Sequence, residues 1–162
     1  MAPSIARNET VERADLLDFV RSRHRAILVT RRRDGSAQLS PVSAGVDDDG
    51  RLVVSTYPER AKVRNLRRDQ RAGAMVLSDE WNGPWVQVDG TAEVIDLPDA
   101  LEPLEAYYRS IAGEHPDWAE YREAMVRQGK CLVRLTIERW GPIATGGFPA
   151  SVVEGERTGT PP

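Results

Sequence analysis

The sequence predicts a mainly β protein: a six-stranded antiparallel barrel, closed or nearly closed, with helices on its periphery. Three observations predict it. Runs of alternating or β-branched residues recur between polar turns, and Asp34-Gly35 between two of them is a strong hairpin signal. The order of elements is helix, three strands, short helix, two strands, two helices and one strand, which favours antiparallel hairpins. No glycine-rich strand-turn-helix unit occurs, so a doubly wound nucleotide fold is disfavoured. A chain of 162 residues, 40% of them hydrophobic, holds one domain with a substantial core.

Residues 1–9 are polar and read as a disordered N-terminus, residues 10–145 as the barrel domain, and the Gly/Pro-rich residues 146–162 as a flexible tail. From an N-cap at Asn8 or Thr10, the spacing of Leu16, Leu17, Phe19 and Val20 predicts a helix. His24 to Thr30 is the first strand, and AQLSPVSAGVD returns as the second. Asp47-Asp48-Asp49-Gly50 is a polar turn into RLVVST, the third strand. A short helix begins at Arg60. Ala72 to Leu77 is the fourth strand and WVQVDGTAEVID the long fifth, in which Asp89-Gly90 suggests a bulge or tight bend. LPDALEPLEAYYRSIAG places Leu97, Leu101, Leu104, Tyr108 and Ile111 on one helical stripe. In PDWAEYREAMVRQG, Pro116 suits a first helical turn and Gly129 a C-terminal stop. KCLVRLTIERW is the sixth strand.

Composition removes several function classes. The single Cys131 and the two histidines leave no cysteine- or histidine-based metal site, and no metal ligand is assigned. The acidic triplet lacks the further oxygen ligands of a calcium loop. Neither a signal-peptide core nor an apolar run of spanning length occurs, so the chain reads as cytoplasmic with no membrane partner. Basic residues between Arg60 and Arg71, with Arg31-Arg32-Arg33, raise a nucleic-acid reading. A net charge of -3 and the lack of interleaved aromatics weigh against it, and no nucleic-acid partner is expected.

The most telling stretch is Ser55-Thr56-Tyr57-Pro58-Glu59-Arg60-Ala61-Lys62. A strand ends in two hydroxyls and a proline turn, and a helix then opens with two cations. Hydroxyl donors, helix N-terminal amides and positive charge at one turn make the chemistry of a phosphate seat. At 100° per residue, Val63 and Leu66 form the buried stripe of this helix. Lys62 lies on one flank with Asn65 and Asp69; Arg60, Arg64, Arg67 and Arg68 lie on the other. Arg64, Arg67 and Arg68 read as a solvated face, whereas Lys62, beside the buried stripe and near the helix start, reads equally as an anion ligand.

No acid-base or nucleophile constellation is legible, so no catalytic residue is assigned. Cys131, within a strand, reads as buried, and His115 as a local hydrogen-bonding or interhelix residue. Trp81 and Trp85 flank a loop and serve either as core edge or as an aromatic wall for a flat ligand. A phosphate seat without acid-base machinery points to a bound cofactor that carries the chemistry.

The run STYPERAKVRNLRRDQRAGAMV, then WVQVDGTAEV, then EAYYRSIAGEHPDWAEYREAMV resembles the split-barrel flavin and deazaflavin oxidoreductases over residues 10–142. More narrowly, it is similar to the actinobacterial branch that uses coenzyme F420, related in fold to pyridoxamine phosphate oxidases. The resemblance implies a six-stranded antiparallel split β-barrel of the FMN-binding type, forming a homodimer with cofactor sites at the interface. It implies that Ser55, Thr56, Arg60 and Lys62 hold the cofactor phosphate, with Asn65 in support. It places Gln38, Ser40 and Val42 along the ring system, Val54 under or beside the ring, and Trp85 arriving from the other subunit. The implied reaction is hydride transfer from reduced coenzyme F420 to a planar, conjugated or quinone-like small-molecule electron acceptor. An FMN-dependent oxidoreductase and a non-catalytic cofactor or tetrapyrrole carrier are the alternatives on the same fold. Two positions depart from the family pattern: Ala37 stands where a proline is frequent, and Ser43-Ala44 where a bulky aromatic falls, which leaves the substrate side of the ring more open.

Overall fold

The computed structural model describes residues 4–158 and runs through β1 (Arg7–Glu9), α1 (Arg13–Arg21), β2 (Arg25–Arg31), β3 (Ala37–Ser43), β4 (Gly45–Val46) and β5 (Leu52–Thr56). It continues with α2 (Ala61–Arg68), β6 (Arg71–Leu77), β7 (Val86–Ile95), α3 (Leu101–Ala112) and α4 (Trp118–Gln128). β8 (Cys131–Trp140), β9 (Ile143–Thr145) and α5 (Ala150–Thr158) complete the chain. Antiparallel pairing orders the main sheet β3-β2-β6-β7-β8-β5-β4.

The two ends of that order are one stretch of chain. β3 pairs with β2, and two residues later β4 pairs with β5, so a bent strand closes the sheet on itself. The sequence reads one strand here, and the structure breaks it at Ala44. His24 donates from Nδ1 to the Ala44 carbonyl (3.0 Å), and the Ala44 amide donates to the His24 carbonyl (2.8 Å). Ala44 is fully buried, and Gly45 beside it lies under α3, where a Cβ would come 2.1 Å from Ser110 Oγ. β4 pairs only at the base of β5, so the rest of β3 is left unbonded to β5. The barrel is therefore mainly β and split, as expected from the sequence.

Alternation sorts the side chains. Ala26, Leu28, Val54, Val76, Val88 and Val133 are among the residues that fill the interior, closed at its ends by Leu16 and Val20 of α1 and by Val63 and Leu66 of α2. A second core lies outside the wall, where Val53 and Leu132 meet Leu104 of α3 and Tyr121 and Met125 of α4. Gly129, at φ +64° in the left-handed region, ends α4 as expected.

The termini differ from expectation. Arg7–Glu9, expected to be disordered, form β1 and pair with β9, while the segment expected to be a flexible tail carries α5. β9 also exchanges backbone hydrogen bonds with Trp85, each 2.9 Å, so the terminal strands extend an edge that already offers unpaired backbone groups. Residues 1–3 and 159–162 of these segments lie outside the described residues. No helix among the described residues is long and apolar enough to cross a membrane.

The bend anticipated at Asp89-Gly90 is a register shift against β8. A Cβ on Gly90 would sit 1.8 Å from the Thr136 carbonyl oxygen, a backbone atom that cannot rotate aside. Gly90→Ala is expected to destabilise the fold by about 3 kcal/mol, the overpacking range, as a lower urea midpoint; Gly141→Ala, where a Cβ meets open space, should move it little.

Candidate functional site

Some of the predicted residues border the split between β3 and β5, and others do not. Gln38, Ser40 and Val42 sit opposite Thr30, Leu28 and Ala26 in the β2 ladder and therefore share the inner face of β3. All three are half-buried, and Val42 packs on the interior core. Across the gap, β5 ends at Thr56, and α2 lies over this end of the barrel on Val63 and Leu66, exposed by 0% and 1%. Two such side chains contribute about 3–6 kcal/mol by burial, enough to fix a two-turn helix that would not persist alone.

The helix starts uncapped. Arg60 occupies the N-cap without a side-chain acceptor, and no acidic residue stands in the first turn. Backbone bonds satisfy the amides of Arg60, Val63 and Arg64, while those of Ala61 and Lys62 have no acceptor among the described residues. Neither Arg60 nor Lys62 has a carboxylate within ion-pair distance among these residues. Burial first, and then the neighbouring Arg60, hold the Lys62 ammonium below the usual lysine range. An anion at this turn would relieve both effects. The turn thus has the donors and the uncompensated charge that a phosphate-bearing cofactor requires.

Other expectations are sorted differently. Ser55 and Thr56 do not form one pair of side-chain donors. Thr56 points inward with Val54 and is 4% exposed, while Ser55 is on the opposite face, where the Tyr107 phenol lies against its backbone. Val54, 3% exposed, is part of the interior core and presents almost no surface to a ring. Asn65 is committed to the fold: its Nδ2 donates to Thr30 Oγ1 (3.1 Å), and its Oδ1 accepts from Arg68 Nη2 (3.0 Å). Arg68 also donates to the Arg31 carbonyl, and Arg67 makes a two-point pair with Asp96 (2.7 and 2.9 Å). These two arginines are ties rather than merely a solvated face; Arg64 is exposed.

Trp85 is not at the seat in its own chain. It precedes Val86, which pairs with Val76 near the Arg25 end of β2, whereas Asn65 binds at Thr30. Those ends are separated by about 17 Å along the strand. Trp81 is 88% exposed on the loop between β6 and β7. His115 accepts from the Asp117 amide at Nδ1 and packs among Tyr108, Trp118 and Tyr121, the local and interhelix role expected of it.

Sequence reasoning missed Tyr107 and Lys130. Tyr107 reaches from α3 to donate to the Ser43 carbonyl (2.9 Å), and with its contact to Ser55 it staples β3 to β5 at the closed base of the split. Tyr107 lies off the apolar stripe read for α3, so the helical spacing gave no sign of this. A different concavity, about 600 Å³, opens on the outer face of the wall over Ile27, Val29, Leu39 and Met75 and is rimmed by Arg71 and Arg139.

The family profile for pyridoxamine 5'-phosphate oxidase matches residues 13–144. The chain belongs to that family. Among solved structures, a conserved hypothetical protein of Mycobacterium tuberculosis is 24% identical over 86% of this chain and 89% of its own, with a TM-score of 0.70. The FAD and heme binding protein of Mycobacterium smegmatis is 19% identical over 95% of this chain and 82% of its own, at TM-score 0.71. An F420 reductase is 16% identical over 76% of this chain and 94% of its own, at TM-score 0.57. These likenesses share the split-barrel fold with this member of the oxidase family.

Cys131 pairs with Thr56 across β5 and β8 and is fully buried; burial pushes its thiol up to about 11. The native state thus holds this proton more tightly than the unfolded chain, whose thiol titrates near 9. The associated stability is complete below that pH and is lost as pH rises through the folded value. Thiol titration of the native protein at neutral pH should give no fast labelling and full labelling in guanidinium. Melting midpoints of wild type should fall between pH 9 and 11 more steeply than those of Cys131→Ala.

Proposed function

We propose that the protein is an oxidoreductase that holds reduced coenzyme F420 in the split and transfers hydride from it to a planar, conjugated or quinone-like small molecule. The observation that carries this reading is the seat at the start of α2, where two unpaired amides and two uncompensated cations adjoin the end of β5. The sequence resemblance and the F420 reductase with the same fold support the choice of ring.

Arg60, Lys62 and the α2 amides would bind the cofactor phosphate, with Thr56 beside them. Gln38 and Ser40 would offer polar contacts along the ring system and Val42 an apolar one, all three on a strand held by β2. The protein contributes position and electrostatics, while its own titratable groups are otherwise engaged. FMN carries a phosphate that the same seat would accept, so the ring is decided by measurement. Titration with coenzyme F420 and with FMN should favour the deazaflavin; tight FMN binding without affinity for it would overturn the cofactor assignment. Lys62→Ala should weaken cofactor binding by about 1.5–3 kcal/mol through loss of a charge-assisted contact. Anaerobic mixing of the reduced complex with quinones, nitroaromatics and biliverdin should oxidise the cofactor faster than the protein-free control. Equality with that control would favour a carrier.

The partner in this reading is a second copy of the chain. Trp85 lies away from the seat of its own chain, and the outer wall presents Ile27, Val29 and Met75 around Leu39, which is 59% exposed. A second copy covering this wall would bury that apolar face and could bring the partner's aromatic side chains to the split. Sedimentation should show a dimer for wild type and a folded monomer for Leu39→Arg; a wild-type monomer at micromolar concentration would remove the dimer from the reading.

A further inference from the structure

We propose that Lys130, braced on Tyr57, is a third cationic arm of the phosphate seat. The inference rests on the reading that the split holds a phosphorylated cofactor. It starts from the junction of α4 and β8. Gly129 turns the chain in the left-handed region and delivers Lys130 immediately before Cys131. Cys131 pairs with Thr56, so Lys130 lies one step past the last rung of the β5–β8 ladder, on the level of Tyr57.

The ring of Tyr57 gathers charge there. Lys130 Nζ is 3.9 Å from the ring centroid, and the Arg60 guanidinium carbon is 5.8 Å from it. A cation is attracted by the ring's quadrupole, but two cations on one ring repel each other. Glu59, adjacent in sequence, makes an ion pair with neither among the described residues. The α2 residues farther along show the opposite arrangement, since Arg67 is paired with Asp96 and Arg68 is tied to Asn65 and Arg31.

Thr56, at the end of β5, is 4% exposed. It precedes Tyr57, whose ring Lys130 and Arg60 approach, and shares a ladder rung with Cys131, the residue after Lys130. Burial and the nearness of Arg60 already disfavour the charged form of Lys62, as expected of a cation cluster awaiting its counter-charge.

Lys130→Gln keeps most of the side chain's length and removes its charge, whereas Lys130→Arg keeps the charge. Coenzyme F420, FMN and riboflavin serve as probes in fluorescence titrations. The glutamine variant should bind the phosphorylated probes about tenfold more weakly, the loss of one charge-assisted contact, and the arginine variant near the wild-type affinity. Riboflavin, with FMN's ring and no phosphate, should be insensitive to the change. If Lys130→Gln binds within twofold of wild type while Lys62→Ala is weakened, the seat stands and Lys130 is no part of it. If Lys62→Ala is also unchanged, or neither phosphorylated probe binds, the underlying reading falls and this inference with it.

Discussion

The bend at Ala44 is the constraint on which the barrel and its opening both depend. A sheet with six walls needs its first and last strands to meet, and here a single run of chain serves as both. The reciprocal bonds between His24 and Ala44 hold the corner at the point where the chain changes partners. Side chains larger than alanine and glycine would meet the interior on one side and Ser110 on the other. Because β4 closes only the base of β5, the inner face of β3 remains open towards α2. The candidate site therefore depends on incomplete closure.

Side-chain hydrogen bonds tie the opening at both ends. At the base, Tyr107 joins the Ser43 carbonyl to the neighbourhood of Ser55. At the far end, Asn65 and Arg68 fasten α2 to Thr30 and Arg31 of β2. A buried amide bonded through both its oxygen and its nitrogen is costly to replace, since each lost partner leaves a desolvated polar atom. α2 consequently has one end engaged with the sheet and one end uncommitted. The division between tied and uncompensated basic residues follows it, with Arg67 and Arg68 towards the C-terminus and Arg60 and Lys62 at the N-terminus.

Much of this was legible in the sequence wherever a period or a turn residue carries the signal. Val63 and Leu66 at helical spacing, the irregularity at Asp89-Gly90, the buried thiol of Cys131 and the stop at Gly129 are local properties, and the structure has each of them. The kink at Ala44 was hidden because AQLSPVSAGVD alternates well enough to pass for one strand; only the choice of partner divides it. β1 and β9 are three residues each, too short for any period, and arise from edge hydrogen bonding. Ser55 and Thr56 were read as one pair because adjacency in sequence conceals that neighbours on a strand face opposite ways. Lys130 lies far along the chain from Tyr57, and a lone lysine after a glycine carries no signal until β8 is laid beside β5.

The chemistry available to the split follows from what the fold has already used. Of the groups able to move protons near neutral pH, His24 is spent on the Ala44 carbonyl, and His115 is enclosed by Tyr108, Trp118 and Tyr121 with Nδ1 bonded to a backbone amide. The Cys131 thiol is buried and held protonated, and burial raises Tyr107 above the ordinary phenol range. The groups proposed to face the split are an amide, a hydroxyl, an aliphatic side chain and fixed positive charge: Gln38, Ser40, Val42, Arg60 and Lys62. Such a surface is suited to binding and orienting a ligand by hydrogen bonds and fixed charge. A reaction suited to it delivers its electrons as a hydride from a bound ring and needs the protein chiefly to hold that ring still. The small residues Ser43 and Ala44, expected to widen the substrate side, instead lie at the closed corner, where Ala44 is fully buried and the Ser43 carbonyl accepts from Tyr107.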